Sequence, residues 1–274
     1  RSEQGPALLI RTGHEPELLE RIREIAPGAR VFRREDLERE PSLLGDVEIV
    51  YGRVDPAQLR EMPRLRWIQT SGAGVGWVQR EEVRGHPVVV TNARFHDVQI
   101  SEHLFGMLLM LVRKLHEAYR WQLNHEAKTP DWREIPTLPG RTLCILGPGV
   151  IGRRCAMLGK AHGMRTTAVR RHAGEVPHVD EVFTTDRLKE ALAGADVVMN
   201  LLPGTRTTHR MIGAAEFATM PRGAFFLNAG RGSTVDTDAM VEVLRSGQLG
   251  GVGLDVTDPE PLPPEHPLWD QPNA

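Results

Sequence analysis

Residues 143–152 read Leu143-Cys144-Ile145-Leu146-Gly147-Pro148-Gly149-Val150-Ile151-Gly152. A short apolar run feeds straight into a Gly-x-Gly-x-x-Gly turn, and a helical pattern carrying Ala156, Leu158 and Ala161 follows. In the order strand, turn, helix, Gly147 allows the tight turn, Gly149 lets a pyrophosphate approach the backbone, and Gly152 permits close packing of helix on strand. Free amides around Val150 and Ile151 at the helix start then face the phosphates, reinforced by the helix dipole. The stretch reads as the first turn of a parallel α/β domain that binds a dinucleotide.

Working outward, further strands are expected at 165–169, 197–201, 224–228 and 251–256, with helices between them, a doubly wound pattern. Upstream, 7–10, 47–51, 66–69 and 88–91 read as strands, and 15–25 as a helix with Leu18, Leu19, Ile22 and Ile25 on one face. A long helical pattern over 97–124, with Ile100, Leu104, Met107, Leu108 and Leu111 as its apolar face, joins the two halves. The expected domains are therefore 1–93 and 94–274, with a cleft between them, and the Pro-containing segment 128–140 is the clearest linker-like interruption.

The 274 residues suffice for about two domains. With 40% hydrophobic and 26% charged residues, and 34 Lys and Arg against 36 Asp and Glu for a net charge of -2, disordered, collagenous and polyanion-binding classes lose support. No nucleic-acid partner is expected. Cys144 and Cys155 form neither a disulfide framework nor a metal motif, so no metal and a reducing cytoplasm are expected. The longest strongly apolar run, 104–112, lies between His103 and Arg113 and is far short of the roughly 20 residues that span a bilayer. Arg1 reads as a trimmed start rather than a secretion signal.

Eighteen residues beyond Gly152, where an NAD site carries an acid for the ribose hydroxyls, stand Arg170 and Arg171, and no acid occurs before Glu175. Two guanidinium groups there grip a 2′-phosphate through charge-assisted, bidentate bonds, so NADPH is expected over NADH, with NAD as the second cofactor. The competing explanation is composition. Arginine greatly outnumbers lysine, and Arg33-Arg34 and Arg153-Arg154 are further pairs.

Four more segments resemble the D-isomer-specific 2-hydroxyacid dehydrogenases in the same order: Ser71-Gly72-Ala73-Gly74-Val75-Gly76, Leu202-Pro203-Gly204-Thr205 with Thr208, Asn228-Ala229-Gly230-Arg231-Gly232, and Leu254-Asp255-Val256 followed by Glu260-Pro261-Leu262. The likeness covers nearly the whole chain and is nearest to short glyoxylate and hydroxypyruvate reductases. It implies an α/β fold of two Rossmann-like domains, a flavodoxin-like substrate domain and a doubly wound parallel-sheet dinucleotide-binding domain, joined by a long helix. The implied activity is reduction of a small 2-keto acid to a D-2-hydroxy acid by a homodimer that meets through the cofactor domain and the long helix.

The chemistry needs a cation to hold the keto acid's carboxylate and polarise its carbonyl. Arg231, just past the apolar strand at the edge where such sheets bind ligands, meets that need, and the resemblance gives it the same role. Backbone amides of a glycine-rich loop can approach a small anion, and Ala73 and Gly74 match the family's carboxylate donors. The family's Asp-like position there is Gly76, with Trp77 next, which departs from the pattern. Arg53 reads equally as a contact for a polar substrate tail and as a surface residue. The alkoxide needs a proton from a His oriented by a carboxylate, and Glu260 matches the family's carboxylate in that pair. The resemblance also implies Pro203 and Thr208 beside the nicotinamide ribose, Asp255 at the carboxamide, and Ala229 among the cofactor contacts.

In the family the paired His follows a Trp-Asp-x-Pro-Asn run like that at 269–273, and the sequence stops at Ala274. The expectation is a carboxyl-terminal tail that supplies this His and covers apolar surface on the first domain. His266 is not its substitute, and His96 and His103 read as helix-face or packing residues. The alternatives are a phosphite or other small-acid dehydrogenase of the same fold, or a cofactor-sensing protein without turnover. Formate enzymes of this superfamily use Gln where Glu260 stands, which argues against formate.

Overall fold

The computed structural model describes residues 5–12, 15–74, 76–93, 95–129, 131, 133 and 135–274. Expectations placed on Arg1, on Val75 and on parts of the 128–140 segment lie outside the described residues. The chain divides into two compact units, Arg1–His96 and Asp97–Ala274.

Among its described residues the first unit holds β1 (Ala7–Arg11), α1 (Glu15–Ile25), β2 (Arg30–Phe32), α2 (Arg34–Arg39), β3 (Ile49–Gly52), β4 (Trp67–Gln69), α3 (Glu81–Arg84) and β5 (Val89–Thr91). The strands form one parallel sheet in the order β2-β1-β3-β4-β5, the flavodoxin-like arrangement. Leu9, Val50 and Ile68 point to one face and pack with Leu44, Leu59 and Met62 into the core. The register aligns Leu8, Ile49, Trp67 and Val89 in a row across the other face. Trp67 is 41% and Val89 60% exposed, so part of that row stands in solvent.

The second unit opens with α4 (Asp97–Val112) and α5 (Leu115–Leu123), then β6 (Thr142–Leu146), α6 (Val150–Ala161), β7 (Arg165–Arg170), β8 (Glu181–Thr184), α7 (Leu188–Ala193), β9 (Val197–Asn200), α8 (Ala214–Thr219), β10 (Ala224–Asn228), α9 (Thr237–Arg245) and β11 (Leu249–Leu254). Its six-stranded sheet runs β11-β10-β9-β6-β7-β8, all parallel. Strands β9 and β10 are buried at every position, as expected where helices cover both faces. Leu104, Leu108 and Leu111 of α4 pack on this sheet, and Gly251 and Gly253 of β11 make room: a Cβ on Gly253 would lie 3.1 Å from Met107 Cβ.

One expectation is corrected and two strands are added. The long helix over 97–124 is two helices, broken where Lys114 takes the left-handed conformation at φ 54°. The Lys114 N–H donates to Leu111 O, and a His116 ring nitrogen lies 3.1 Å from Met110 O, so end carbonyls of α4 gain partners at the break. The apolar pattern hides this because it continues through Leu115, Tyr119 and Leu123, all exposed. Strands β2 and β8 were also not expected. Both are short edge strands with mostly half-buried residues, which leaves little periodic signal.

Cys144 and Cys155 are free and buried, and burial pushes both thiols up to about 12. A thiol-reactive reagent at neutral pH is expected to label neither in the native protein and both after unfolding, because the thiolate is the nucleophile. Rapid native labelling, read by mass spectrometry, would contradict this packing.

Candidate active site

The sheet order of the second unit reverses between β6 and β9, so their loops diverge at the carboxyl ends and leave a crevice. A cavity of about 820 Å³ occupies it, lined by Gly147 and Gly149, by Arg170 and Arg171 at and after the end of β7, and by Pro203 and Thr208 after β9, among others. That volume lies within the range of small-molecule and cofactor sites.

The residues present fit a dinucleotide. Gly147 has φ +87°, which favours glycine, and an added Cβ would lie 3.1 Å from Leu201 O. A Cβ on Gly149 would meet nothing within 4 Å, so the backbone there faces open space. Gly152 is the opposite case: its Cβ would fall 2.8 Å from Gly147 O and 3.0 Å from Ile145 Cγ2, so helix and strand touch through it. Gly149 is the N-cap of α6 and the Arg153 N–H bonds its carbonyl, leaving the N–H groups of Val150, Ile151 and Gly152 in the unpaired first turn.

Neither Arg170 nor Arg171 pairs with a carboxylate among the described residues. Two further basic side chains, Arg153 and His172, line the same cavity, opposed by Glu175. Sequence reasoning passed over both. The available signal for Arg153 was its place one residue past Gly152, in the first turn of the helix. Thr208 closes its own loop, donating to Pro203 O at 2.5 Å and accepting from Thr205 N at 2.9 Å.

Val150, Ile151, Gly152, Ala229, Arg231, Asp255 and Glu260 do not line the cavity. Arg231 follows β10, and its stem lies beside the 203–208 loop: a Cβ on Gly204 would be 3.3 Å from Arg231 Cγ. Its Nη1 donates to Gly230 O at 2.6 Å, and the rest of the guanidinium has no partner among the described residues. The flanking glycines are required by contact. A Cβ on Gly230 would fall 2.7 Å from Leu202 O, and one on Gly232 only 1.9 Å from Thr257 O. The Arg231 segment is thus wedged between the loop after β9 and the segment leading to Glu260.

Beneath it lie three buried polar side chains, with Asn200 at 0%, Asn228 at 1% and Thr234 at 0% exposure. Asn200 Nδ2 donates to Asn228 Oδ1 at 3.1 Å and to Thr234 Oγ1 at 2.7 Å. Asn200 and Thr234 were also not anticipated.

Asp255 follows β11, with its N–H on Asn228 O and its carboxylate 3.5 Å from His103 Nε2. Glu260 is exposed and makes no ion pair with a described residue. His266 is occupied structurally: its Nδ1 accepts the Leu268 N–H.

Ala73 and Gly74 belong to the first unit. There the carbonyls of Gly72 and Ala73 are tied back, to Thr70 Oγ1 and Asn92 Nδ2, and His96 Nε2 lies 3.2 Å from Ser71 O. The N–H groups of Ala73 and Gly74 donate to no partner among the described residues. A loop with its carbonyls bound and its amides free is suited to a small anion.

A profile of the family described as "D-isomer specific 2-hydroxyacid dehydrogenase, NAD binding domain" matches residues 105–274. The chain is 34% identical over 240 residues to glyoxylate/hydroxypyruvate reductase B of Enterobacter sp. (strain 638), covering 85% of this chain and 72% of that one. A crystal structure of a D-isomer specific 2-hydroxyacid dehydrogenase family protein from Aeromonas salmonicida superposes with a TM-score of 0.86 at 33% identity, covering 98% and 86% of the two chains. An NADPH-dependent glyoxylate/hydroxypyruvate reductase from Sinorhizobium meliloti, solved with NADP and sulfate, gives 0.83 at 27% identity over 98% and 86%.

Proposed function

This chain belongs to the D-isomer-specific 2-hydroxyacid dehydrogenase family, and from that premise we propose that it prefers NADPH and reduces glyoxylate or hydroxypyruvate to the D-2-hydroxy acid. It is a nicotinamide-dependent oxidoreductase of the 2-keto acid reductase type. The observation that carries the NADPH preference is Arg170 and Arg171 at one end of the cavity, free of carboxylate partners among the described residues. Arg153 adds charge to the same cavity.

When bound, the reduced nicotinamide supplies a hydride. The turn 147–152 and the first-turn amides of α6 hold the pyrophosphate. Pro203, Thr208, Ala229 and Asp255 are assigned to the nicotinamide end. Arg231 holds the keto acid's carboxylate and polarises its carbonyl with two parallel donors. The free N–H groups of Ala73 and Gly74 are suited to a small carboxylate, and Glu260 is available to orient a proton-donating imidazole.

The test is a panel of glyoxylate, hydroxypyruvate, pyruvate, phosphite and formate with each cofactor. Glyoxylate or hydroxypyruvate with NADPH should give the highest kcat/KM, and equal or better constants with NADH would overturn the cofactor preference. Changing both Arg170 and Arg171 to Ala should cost NADPH roughly tenfold, the low end for charge-assisted bonds at an exposed site, and leave NADH nearly untouched.

The homodimer is supported by exposed apolar residues on α4 and α5, Met110, Leu115, Tyr119 and Leu123. Light scattering should report two chains per particle, and Leu115→Glu with Leu123→Glu should shift it to one. A wild-type monomer would remove this assignment. No helix among the described residues is long and apolar enough to cross a membrane. We assign the enzyme to the cytoplasm because both cysteines are free, buried thiols.

A further inference from the structure

We propose that Asn200, Asn228 and Thr234 are positioning residues that fasten Arg231 to the wall of the dinucleotide cavity. The inference rests on the role assigned to Arg231 above and names what holds it in place.

Strands β9 and β10 are otherwise apolar, Val-Val-Met and Ala-Phe-Phe-Leu, yet each ends in a buried Asn. Burying an amide side chain is costly unless its bonds are made. Here they are made, and their destinations are specific. Asn200 Oδ1 accepts the N–H of Leu202, a cavity residue, at 3.2 Å. Asn200 Nδ2 crosses to Asn228 Oδ1 and Thr234 Oγ1. Asn228 Oδ1 also accepts the Gly230 N–H at 3.1 Å, and Asn228 Nδ2 donates to Arg231 O at 3.3 Å. Thr234 Oγ1 donates to the same Arg231 O at 2.7 Å.

One continuous set of bonds therefore runs from Leu202 in the cavity wall to the backbone on both sides of the Arg231 Cα. Packing alone would be served by Leu or Val at these places. Two donors converging on Arg231 O, with Gly230 and Gly232 wedged against neighbouring backbone, leave the guanidinium stem one origin. A misplacement of about 1 Å at such a group can cost on the order of 100-fold in rate, so the bonds act on catalysis as well as stability.

Thr234→Val keeps the shape but removes the acceptor for Asn200 and the donor to Arg231 O. With dinucleotide titration unchanged, the protein should bind oxamate, an unreactive keto-acid isostere, about tenfold more weakly in the presence of NADP and lose kcat/KM for glyoxylate to a similar extent. Thr234→Ser should restore both. Wild-type oxamate binding and turnover in Thr234→Val, or no recovery in Thr234→Ser, would overturn the proposal. Arg231→Ala is measured alongside. If it too keeps oxamate binding and turnover, the role of Arg231 fails; if it loses both while Thr234→Val keeps both, the positioning role alone fails. Should Thr234→Val not titrate with dinucleotide, Asn200→Asp, which keeps the acceptor for Leu202 and removes both donated bonds, should show the same loss, and wild-type oxamate binding there counts against the proposal.

Discussion

Arg231→Ala is expected to lower kcat by about 10²–10³-fold, the scale seen when a donor to developing negative charge is removed. The reason is local. Arg231 stands just past the carboxyl end of β10, its stem beside Gly204, and most of its guanidinium unpaired among the described residues. An arginine held by a rigid backbone with free donors is prepared to meet a carboxylate and a carbonyl oxygen together. The contacts assigned to Arg231 are to the keto acid, so dinucleotide affinity should survive the change. Arg231→Lys should recover little, because an ammonium lacks the planar fork. Steady-state kinetics with a dinucleotide titration decide the matter, and unchanged turnover in Arg231→Ala would refute the assignment.

Gly149→Val should leave the fold intact and weaken dinucleotide binding. At φ -74° this residue has a backbone that other residues adopt, and its added Cβ would meet no atom within 4 Å. The new side chain would instead occupy space where the pyrophosphate has to approach. Forcing methyl groups into an occupied volume costs about 1–3 kcal/mol, which is roughly 10–100-fold in affinity. Gly152→Val should behave in the opposite way, because its Cβ would press on Gly147 O at 2.8 Å inside the protein. That variant should unfold at lower temperature. Fluorescence titration with NADPH and thermal denaturation of both variants separate the two effects. Wild-type affinity in Gly149→Val would mean that the phosphates do not pass this backbone.

Local sequence was enough for the elements whose signal is local. The apolar runs of β6 and β10 mark those strands at their observed ends, 142–146 and 224–228, because strands buried on both faces need continuous apolar residues. The glycine turn was legible for the same reason: the positive φ of Gly147 and the contact of Gly152 with Gly147 O and Ile145 are set within a few residues. Lys114 shows the limit, since an unbroken apolar period continues through a residue whose left-handed backbone splits the helix. Edge strands β2 and β8 show it again, since a short strand in partial contact with solvent needs no pattern.

At the site, sequence and the resemblance it carries determined the cofactor class, the Arg170 and Arg171 pair, and Arg231 as the candidate cation. Tertiary structure decided the rest. Arg153 and Arg154 are neighbours in the chain, and only Arg153 lines the cavity, because successive helical residues point about 100° apart. Asn200 reads as an ordinary strand end until β9 lies beside β10. Then it meets Asn228, 28 residues away, and the pair becomes the support of Arg231, a relation set by strand pairing and register.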